Sequence, residues 1–394
     1  MLATSLMIGV ILLALFITVG VSRVPSWLKF TLSLFVVVRV IISAILLENQ
    51  DLQNDARAYH EEATALRESL IHGSDYAVSA AFEGKSGWTT TLGYLYLLGG
   101  PEPLIGMVFN SAAVAMVSLL TFATARSLGA STGGASFAAA CILAPQFFVW
   151  GTQLLREPVI WLAVASIAYF GTELFNQKRE RASAPMNLIL GLFLGLLVLY
   201  WYRADIAVLL SASMLMYVVA SSNLPKWGRF GAIGAAVLAS PLIVGYIAEQ
   251  DIFDSDRMVM AQVELSSANS GYGSVSDVSV SSLYLNTPIN FLRALVGPFP
   301  WEIVSLGPLA ALEWAFWIML AIPIAYVIVK HTRLVGFVTV IGLAMLLSMS
   351  LGSGNYGGMS RLRLMPLVAL LPIISIWWDM LTARKLRTVA SYRP

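Results

Sequence analysis

The chain of 394 residues is 58% hydrophobic and only 12% charged, and its mean hydropathy is +0.77. This composition lies outside the range of soluble globular domains, so the bilayer is the solvent of most of the chain. The net charge is +2, and no basic run is interleaved with aromatic residues, which excludes nucleic acid as a partner. The single cysteine, Cys141, excludes an intramolecular disulfide and a cysteine-based metal cluster.

Eleven apolar segments reach or approach the length of about 20 residues that crosses a hydrocarbon core of about 30 Å. They predict an all-α, polytopic transmembrane bundle that forms one integral membrane domain over residues 1–394. The segments that meet near residues 150–158 and 200–205 can be divided differently, so the number holds to within one or two. The segments lie at about 3–21, 27–47, 103–125, 133–150, 158–175, 186–201, 204–220, 230–247, 307–329, 334–350 and 364–381.

Basic residues concentrate in alternate turns between these segments. With the N-terminus outside, the inside turns hold 14 of the 24 basic residues and 3 of the 22 acidic residues. The positive-inside rule therefore predicts an outer N-terminus and an inner C-terminus in a bacterial cytoplasmic membrane. Two long loops, about 48–102 and 248–306, then lie outside, and the unusual polar residues face the extracytoplasmic side.

Cysteine labelling tests this orientation. In a variant without Cys141, Asp75→Cys and Ser270→Cys are expected to react with an impermeant maleimide from outside, because both positions lie in the predicted outer loops. Glu180→Cys and Ala390→Cys are expected to react only after permeabilisation. Labelling of Glu180→Cys from outside would reverse the predicted orientation.

The first long loop opens with acidic and polar residues at helical spacing. Asp51, Asp55 and Tyr59 follow in steps of four, which places them on one face of a helix just above the membrane, and His60 comes next. A carboxylate on that face is suited to act as a general base. The alternative, which the spacing alone favours, is an amphipathic helix lying on the lipid headgroups.

Two later breaks carry arginine beside an acid. Arg156 and Glu157 precede Pro158 at the outer end of a span, and charges at such a break are costly unless they line a wet cavity or pair with each other. A mutual ion pair that caps the turn is therefore the alternative to a functional site. Arg203, followed by Asp205, interrupts another apolar stretch after aromatic residues typical of the membrane interface.

Arg361 and Arg363 lead into the last span. In an extended segment their side chains face the same way, whereas on a helix they diverge by about 200°, so we expect one of the two to be functional. The planar guanidinium suits bidentate recognition of phosphate. Arginines near the headgroups with carboxylates just above them suit a phosphorylated lipid whose sugar is transferred.

The order of these features resembles the GT-C superfamily of polyprenyl-phosphate-dependent membrane glycosyltransferases. Asp55 and Tyr59 are similar to the superfamily's first-loop Asp-x-x-x-Tyr pattern, and the later arginines fit its later arginine positions. Two spans precede Asp55, whereas the best-known members have one, and the chain ends in a basic tail where many members carry a soluble domain. The other positions that carry the resemblance are Gly87, Trp88, Gly93, Tyr94, Asn110, Pro145, Trp150, Arg156, Glu157, Arg203, Arg361, Arg363 and Pro366.

The resemblance implies transfer of a sugar from a polyprenyl-phosphate donor to an extracytoplasmic envelope glycan or lipid-linked acceptor. It implies that Asp55 is the catalytic base and that Glu157 is a second acid. No metal ligand is assigned, and a divalent cation is left open. The residues expected to bind substrate are Tyr59, His60, Arg156, Arg203, Arg361 and Arg363.

Two alternatives stay open. An O-antigen or exopolysaccharide polymerase or ligase shares the lipid-linked donor and the arginine-rich outer face. A membrane transporter or lipid flippase belongs to another class, and the polar residues argue against it because they cluster at one surface rather than at the midplane.

Overall fold

The computed structural model describes residues 24–49, 52, 54–73, 86–180, 185–221, 280–306, 308–352 and 356–391. Within these ranges every extended regular element is an α-helix, which confirms the predicted all-α class. The helices are α1 (Ser26–Asn49), α2 (Asn54–His72), α3 (Ser86–Gly99), α4 (Pro103–Ser127), α5 (Thr132–Ala140), α6 (Pro145–Gly151), α7 (Glu157–Glu180), α8 (Met186–Tyr202), α9 (Ala204–Ser221), α10 (Val280–Val296), α11 (Pro300–Leu306), α12 (Pro308–Gly352), α13 (Tyr356–Leu362) and α14 (Leu364–Ser391).

Six helices in the described ranges are long and apolar enough to cross a bilayer: α1, α4, α7, α9, α12 and α14. They make the chain a multi-pass membrane protein, as the composition predicts. Helix α8 is apolar but has only 17 residues. The predicted spans at 3–21 and 230–247 lie outside the described residues, and the total of eleven spans stays a prediction.

The predicted span at 133–150 is a bent pair of helices rather than one straight helix. The segments Thr132–Leu143 and Pro145–Gly151 meet at an angle of 49°. Pro145 has no N–H to continue the helix, and it holds the preceding residue, Ala144, in an extended conformation with ψ of 150°. This local chemistry produces either a broken span or a re-entrant segment.

Helix α12 begins at Pro308 and covers the described residues of both spans predicted at 307–329 and 334–350. Its candidate membrane segment, Ala310–Ser350, has 41 residues and is therefore about 60 Å long, twice the thickness of a hydrocarbon core. The backbone of His331 leaves the helical region, with φ of −128° and ψ of 33°. This kink lies in the basic turn that the sequence places between two spans.

The chain divides into two compact units. The first contains Met1–Arg203 together with Leu371–Pro394, and the second contains Ala204–Leu370. In the first unit, α4 packs on α1, α5 and α7 and is buried around most of its circumference. In the second unit, α12 packs on α9, α10 and α11.

Candidate functional site

Helix α2 carries the predicted catalytic residue and packs along α3. Ala56, Tyr59 and Ala63 are buried and form its inner face. Asp55 lies in the first turn of α2 and is half-buried, at the edge of that face. The helix therefore differs from an amphipathic helix that only lies on headgroups, because protein covers one side of it.

His60 is fixed by a tyrosine of α3. Its Nδ1 atom lies 3.0 Å from the hydroxyl of Tyr96, and Nε of Arg67 donates to the main-chain oxygen of Tyr96 at 3.0 Å. Tyr96 is fully buried, and burial together with the negative charge of Glu102 raises its pKa, so the hydroxyl keeps its proton. The contact with Tyr96 fixes the position of the His60 ring. The predicted role of His60 in binding substrate stays a prediction.

The stability of this pair is expected to depend on pH. Burial lowers the pKa of His60, against the opposing charges of Glu102 and Glu61. The folded chain therefore binds a proton less readily than the unfolded chain, whose histidine titrates at about 6.5. The contribution of neutral His60 to the stability is fully present above that pH and is lost as the pH falls through the lowered pKa of His60.

We expect the apparent Tm in detergent to drop between pH 7.5 and 5.5, and His60→Gln to reduce that drop, because glutamine does not titrate. His72→Gln is the matched control, since the His72 side chain lies on the same helix but is 68% exposed. If His60→Gln leaves the pH dependence of the apparent Tm unchanged, protonation of His60 is not its cause.

Between α6 and α7 the chain is not helical, and we call residues 152–156 the break. The buried side chain of Asn110 holds it, since Nδ2 donates to the main-chain oxygens of Gln153 and Leu155, each at 2.8 Å. Asn110 lies about 10 Å along α4 from the first residue of that helix. The break therefore sits at the level of a candidate span, where unpaired backbone groups are costly.

Arg156 and Glu157 follow directly on the break. Arg156 is half-buried and donates through Nη1 to the main-chain oxygen of Tyr202 at 3.2 Å. Glu157 is 2% exposed and lies in the first turn of α7, where the helix dipole favours a negative charge. The hydroxyl of Tyr202 lies 2.6 Å from that of Thr91 on α3.

Helix α3 thus supports two groups of predicted site residues, those on α2 and those at the break. Tyr96 contacts His60 of α2, and Thr91 contacts Tyr202, the residue whose carbonyl accepts from Arg156. The two positions are five residues apart, or about 7.5 Å along the helix. Helix α3 also packs tightly on α8, because a Cβ at Gly87 would overlap the main-chain oxygen of Trp201.

Arg203 occupies the predicted interruption. Helix α8 ends at Tyr202, and Arg203 has φ of −154° and ψ of 78° while its N–H still donates to Leu199 at 2.7 Å. Its side chain is half-buried. The helix is therefore interrupted at Arg203, as the sequence indicates.

The two arginines before the last helix lie in the second unit and have different surroundings. Arg363 is 1% exposed, donates through Nη2 to the main-chain oxygen of Arg293 at 2.7 Å, and lies 3.8 Å from Oε1 of Glu313. Its guanidinium also lies 5.1 Å from the ring centroid of Trp317. Arg361 is half-buried. Protein contacts thus surround Arg363, and Arg361 is the more accessible of the pair.

A second ion pair lies beside Arg363. Nε and Nη2 of Arg293 contact Oε1 of Glu302 at 2.9 and 2.8 Å, and Oε2 of Glu302 accepts from the N–H of Phe299 at 2.8 Å. These contacts tie α10 to the start of α11.

A charged residue that the sequence analysis did not single out is buried in the first unit. Arg39 lies in the middle of α1 and is 0% exposed. The available signal was a lone arginine inside an uninterrupted apolar segment, because ionisable residues at such positions are rare and usually functional.

Metal ligands were left open by the sequence, and the described residues contain no group of three or more His, Cys, Asp or Glu side chains suited to a metal ion. Asp254 and Asp256 form an Asp-x-Asp pair in the second long loop, outside the described residues. Asp51 of the first loop lies outside them too.

No protein-family model, curated protein or solved structure matches this chain. Its function has to be inferred from its own residues.

Proposed function

We propose that the protein is a membrane glycosyltransferase that moves a sugar from a polyprenyl-phosphate donor to an envelope glycan or lipid-linked acceptor. The site lies on the extracytoplasmic face of a bacterial cytoplasmic membrane. The observation that carries the proposal is the shared support on α3, which holds the helix of Asp55 on one side and, through Tyr202, Arg156 at the break on the other.

In the proposed reaction, Asp55 takes the proton of an acceptor hydroxyl. The hydroxyl oxygen attacks the anomeric carbon of the donor from the side opposite the phosphate, and the bond between that carbon and the phosphate oxygen breaks. The polyprenyl phosphate leaves with the bonding electrons, and the configuration at carbon is inverted. Arginine stabilises the charge that develops on the leaving phosphate, with Arg156, Arg203 and Arg361 as the accessible candidates.

Binding of a polyprenyl-phosphate analogue tests the donor site. Alanine at the phosphate-binding arginine is expected to weaken binding about 10- to 100-fold, and lysine is expected to restore it only in part, because a point charge lacks the planar fork. Arg363→Ala is expected to lower the apparent Tm instead, since Arg363 is buried in protein contacts. Wild-type binding by the alanine variants of Arg156, Arg203 and Arg361 would place the donor elsewhere.

A transporter or lipid flippase is the second candidate, and two observations favour it. Arg39 is a buried charge within a candidate span, and α5 and α6 form a bent pair of helices, both of which occur in transporters. Purified protein in liposomes separates the two functions. Sugar transfer without movement of a labelled lipid across the bilayer supports the transferase, and movement without transfer supports the flippase. An O-antigen or exopolysaccharide polymerase or ligase would instead extend or attach a whole lipid-linked glycan.

A further inference from the structure

The buried guanidinium of Arg39 lies at the end of the short helix α6. Nη1 of Arg39 is 3.5 Å from the main-chain oxygen of Phe147, and its Cζ lies 5.2 and 5.9 Å from the ring centroids of Phe35 and Phe148. A Cβ at Gly151 would overlap Nη2 of Arg39. Glycine at the last position of α6 thus makes room for the guanidinium.

The main-chain oxygen of Phe147 and the rings of Phe35 and Phe148 provide the compensation for the buried charge. Among the described residues, neither Nε nor Nη2 of Arg39 has a hydrogen-bond partner. The carbonyl end of a helix carries partial negative charge, and a cation there is stabilised more strongly in a low-dielectric interior than in water. A contact of this kind is therefore a charge-based tie between α1 and α6.

A second side chain of α1, that of Ser43, forms a hydrogen bond with Thr152, the residue that follows α6. Ser43, one turn along α1 from Arg39, donates to the main-chain oxygen of Thr152 at 3.2 Å. Residues four apart on a helix lie on the same face, so Arg39 and Ser43 both contact the carbonyl end of α6. Thr152 is the first residue of the break, and Arg156 is the last.

We propose that Arg39, assisted by Ser43, is a latch that fixes the carbonyl end of α6 and thereby positions the break with Arg156 and Glu157. Asn110 holds the far end of the same segment through Gln153 and Leu155. Arg39 is a positioning residue, since it acts through the break. The proposal concerns the geometry of the break and stands whether or not the protein transfers sugar.

A double-mutant cycle tests the contact between Arg39 and Gly151. Gly151→Ala alone is expected to lower the apparent Tm, because the new methyl group collides with the guanidinium. In an Arg39→Met background the same change should have little further effect, since methionine ends short of the collision. Gly191→Ala is the control, because its methyl group would meet Phe170 instead and its effect should add to that of Arg39→Met. Additive effects of Gly151→Ala and Arg39→Met would overturn the latch.

Cysteine reactivity tests the position of the break. In a Cys141→Ala background, Leu155→Cys reports on the break and Ala165→Cys on the middle of α7, and both native side chains are buried. Arg39→Met is expected to raise the rate of alkylation at Leu155→Cys about tenfold and to leave Ala165→Cys protected, because only the break opens. Protection at both positions, or exposure at both, would overturn the proposal.

Arg39→Lys separates charge from packing in the same assay. Lysine keeps a cation beside the carbonyl end of α6, so Leu155→Cys is expected to react more slowly than in Arg39→Met. Equal rates in the lysine and methionine variants would contradict a charge-based latch. Cysteine alkylation is measured without a sugar donor. The latch proposal therefore stands even if the glycosyltransferase proposal fails.

Discussion

Asp55→Asn is expected to remove most transfer activity, by about 10²- to 10⁴-fold, while leaving folding and donor binding nearly intact. Asparagine keeps the size and much of the hydrogen bonding of aspartate but lacks the basic oxygen that accepts the proton. Asp55 is half-buried on a helix whose inner face packs on α3, so its position is held by the protein. The lost interaction with the start of α2 costs only about 0.3–1 kcal/mol.

Product formation from a labelled polyprenyl-phosphate sugar in membranes measures this effect, with protein amount and apparent Tm determined in parallel. Glu61→Gln is the matched control, because Glu61 lies on the same helix but is exposed. Asp51→Asn is expected to be milder than Asp55→Asn. Full activity of Asp55→Asn would exclude it as the base, and equal loss for Asp51→Asn and Asp55→Asn with poor expression would favour an amphipathic helix without catalytic role.

Asn110→Leu is expected to destabilise the first unit by about 3 kcal/mol. One amide group of Asn110 satisfies two main-chain oxygens of the break, and each buried carbonyl left without a donor costs about 1–3 kcal/mol. Asn110→Asp is expected to be at least as harmful, because a carboxylate has the same shape but turns an oxygen toward both carbonyls. The free energy of unfolding in detergent, from denaturant titration, measures both variants.

Ser118→Ala is the comparison for Asn110. Ser118 is also fully buried in α4 and donates to one carbonyl, that of Ala139 at 2.8 Å. The same carbonyl accepts from the N–H of Cys141, so the loss is expected to be about 1 kcal/mol. A loss in Asn110→Leu no larger than in Ser118→Ala would show that the break does not depend on the Asn110 clamp.

Several features of the fold follow from local sequence alone. Pro145 ends one helix and starts another because it lacks an N–H and restricts the residue before it, and Pro158 lies in the first turn of α7 for the same reason. The helix after Asp55 follows from its spacing of polar and small residues. The apolar segments of α1, α4 and α7 are visible in composition, since a bilayer requires about 20 such residues in succession.

Tertiary structure decided which partners the polar residues have. Asn110 bonds to carbonyls 43 and 45 residues away, and Arg39 to one 108 residues away. Periodicity assigns a residue to a face of its own helix, but it does not indicate which helix packs against that face. For the same reason the sequence could not separate Arg361 from Arg363. Burial of Arg363 against Arg293 and Glu313 depends on three segments that meet only in the folded chain.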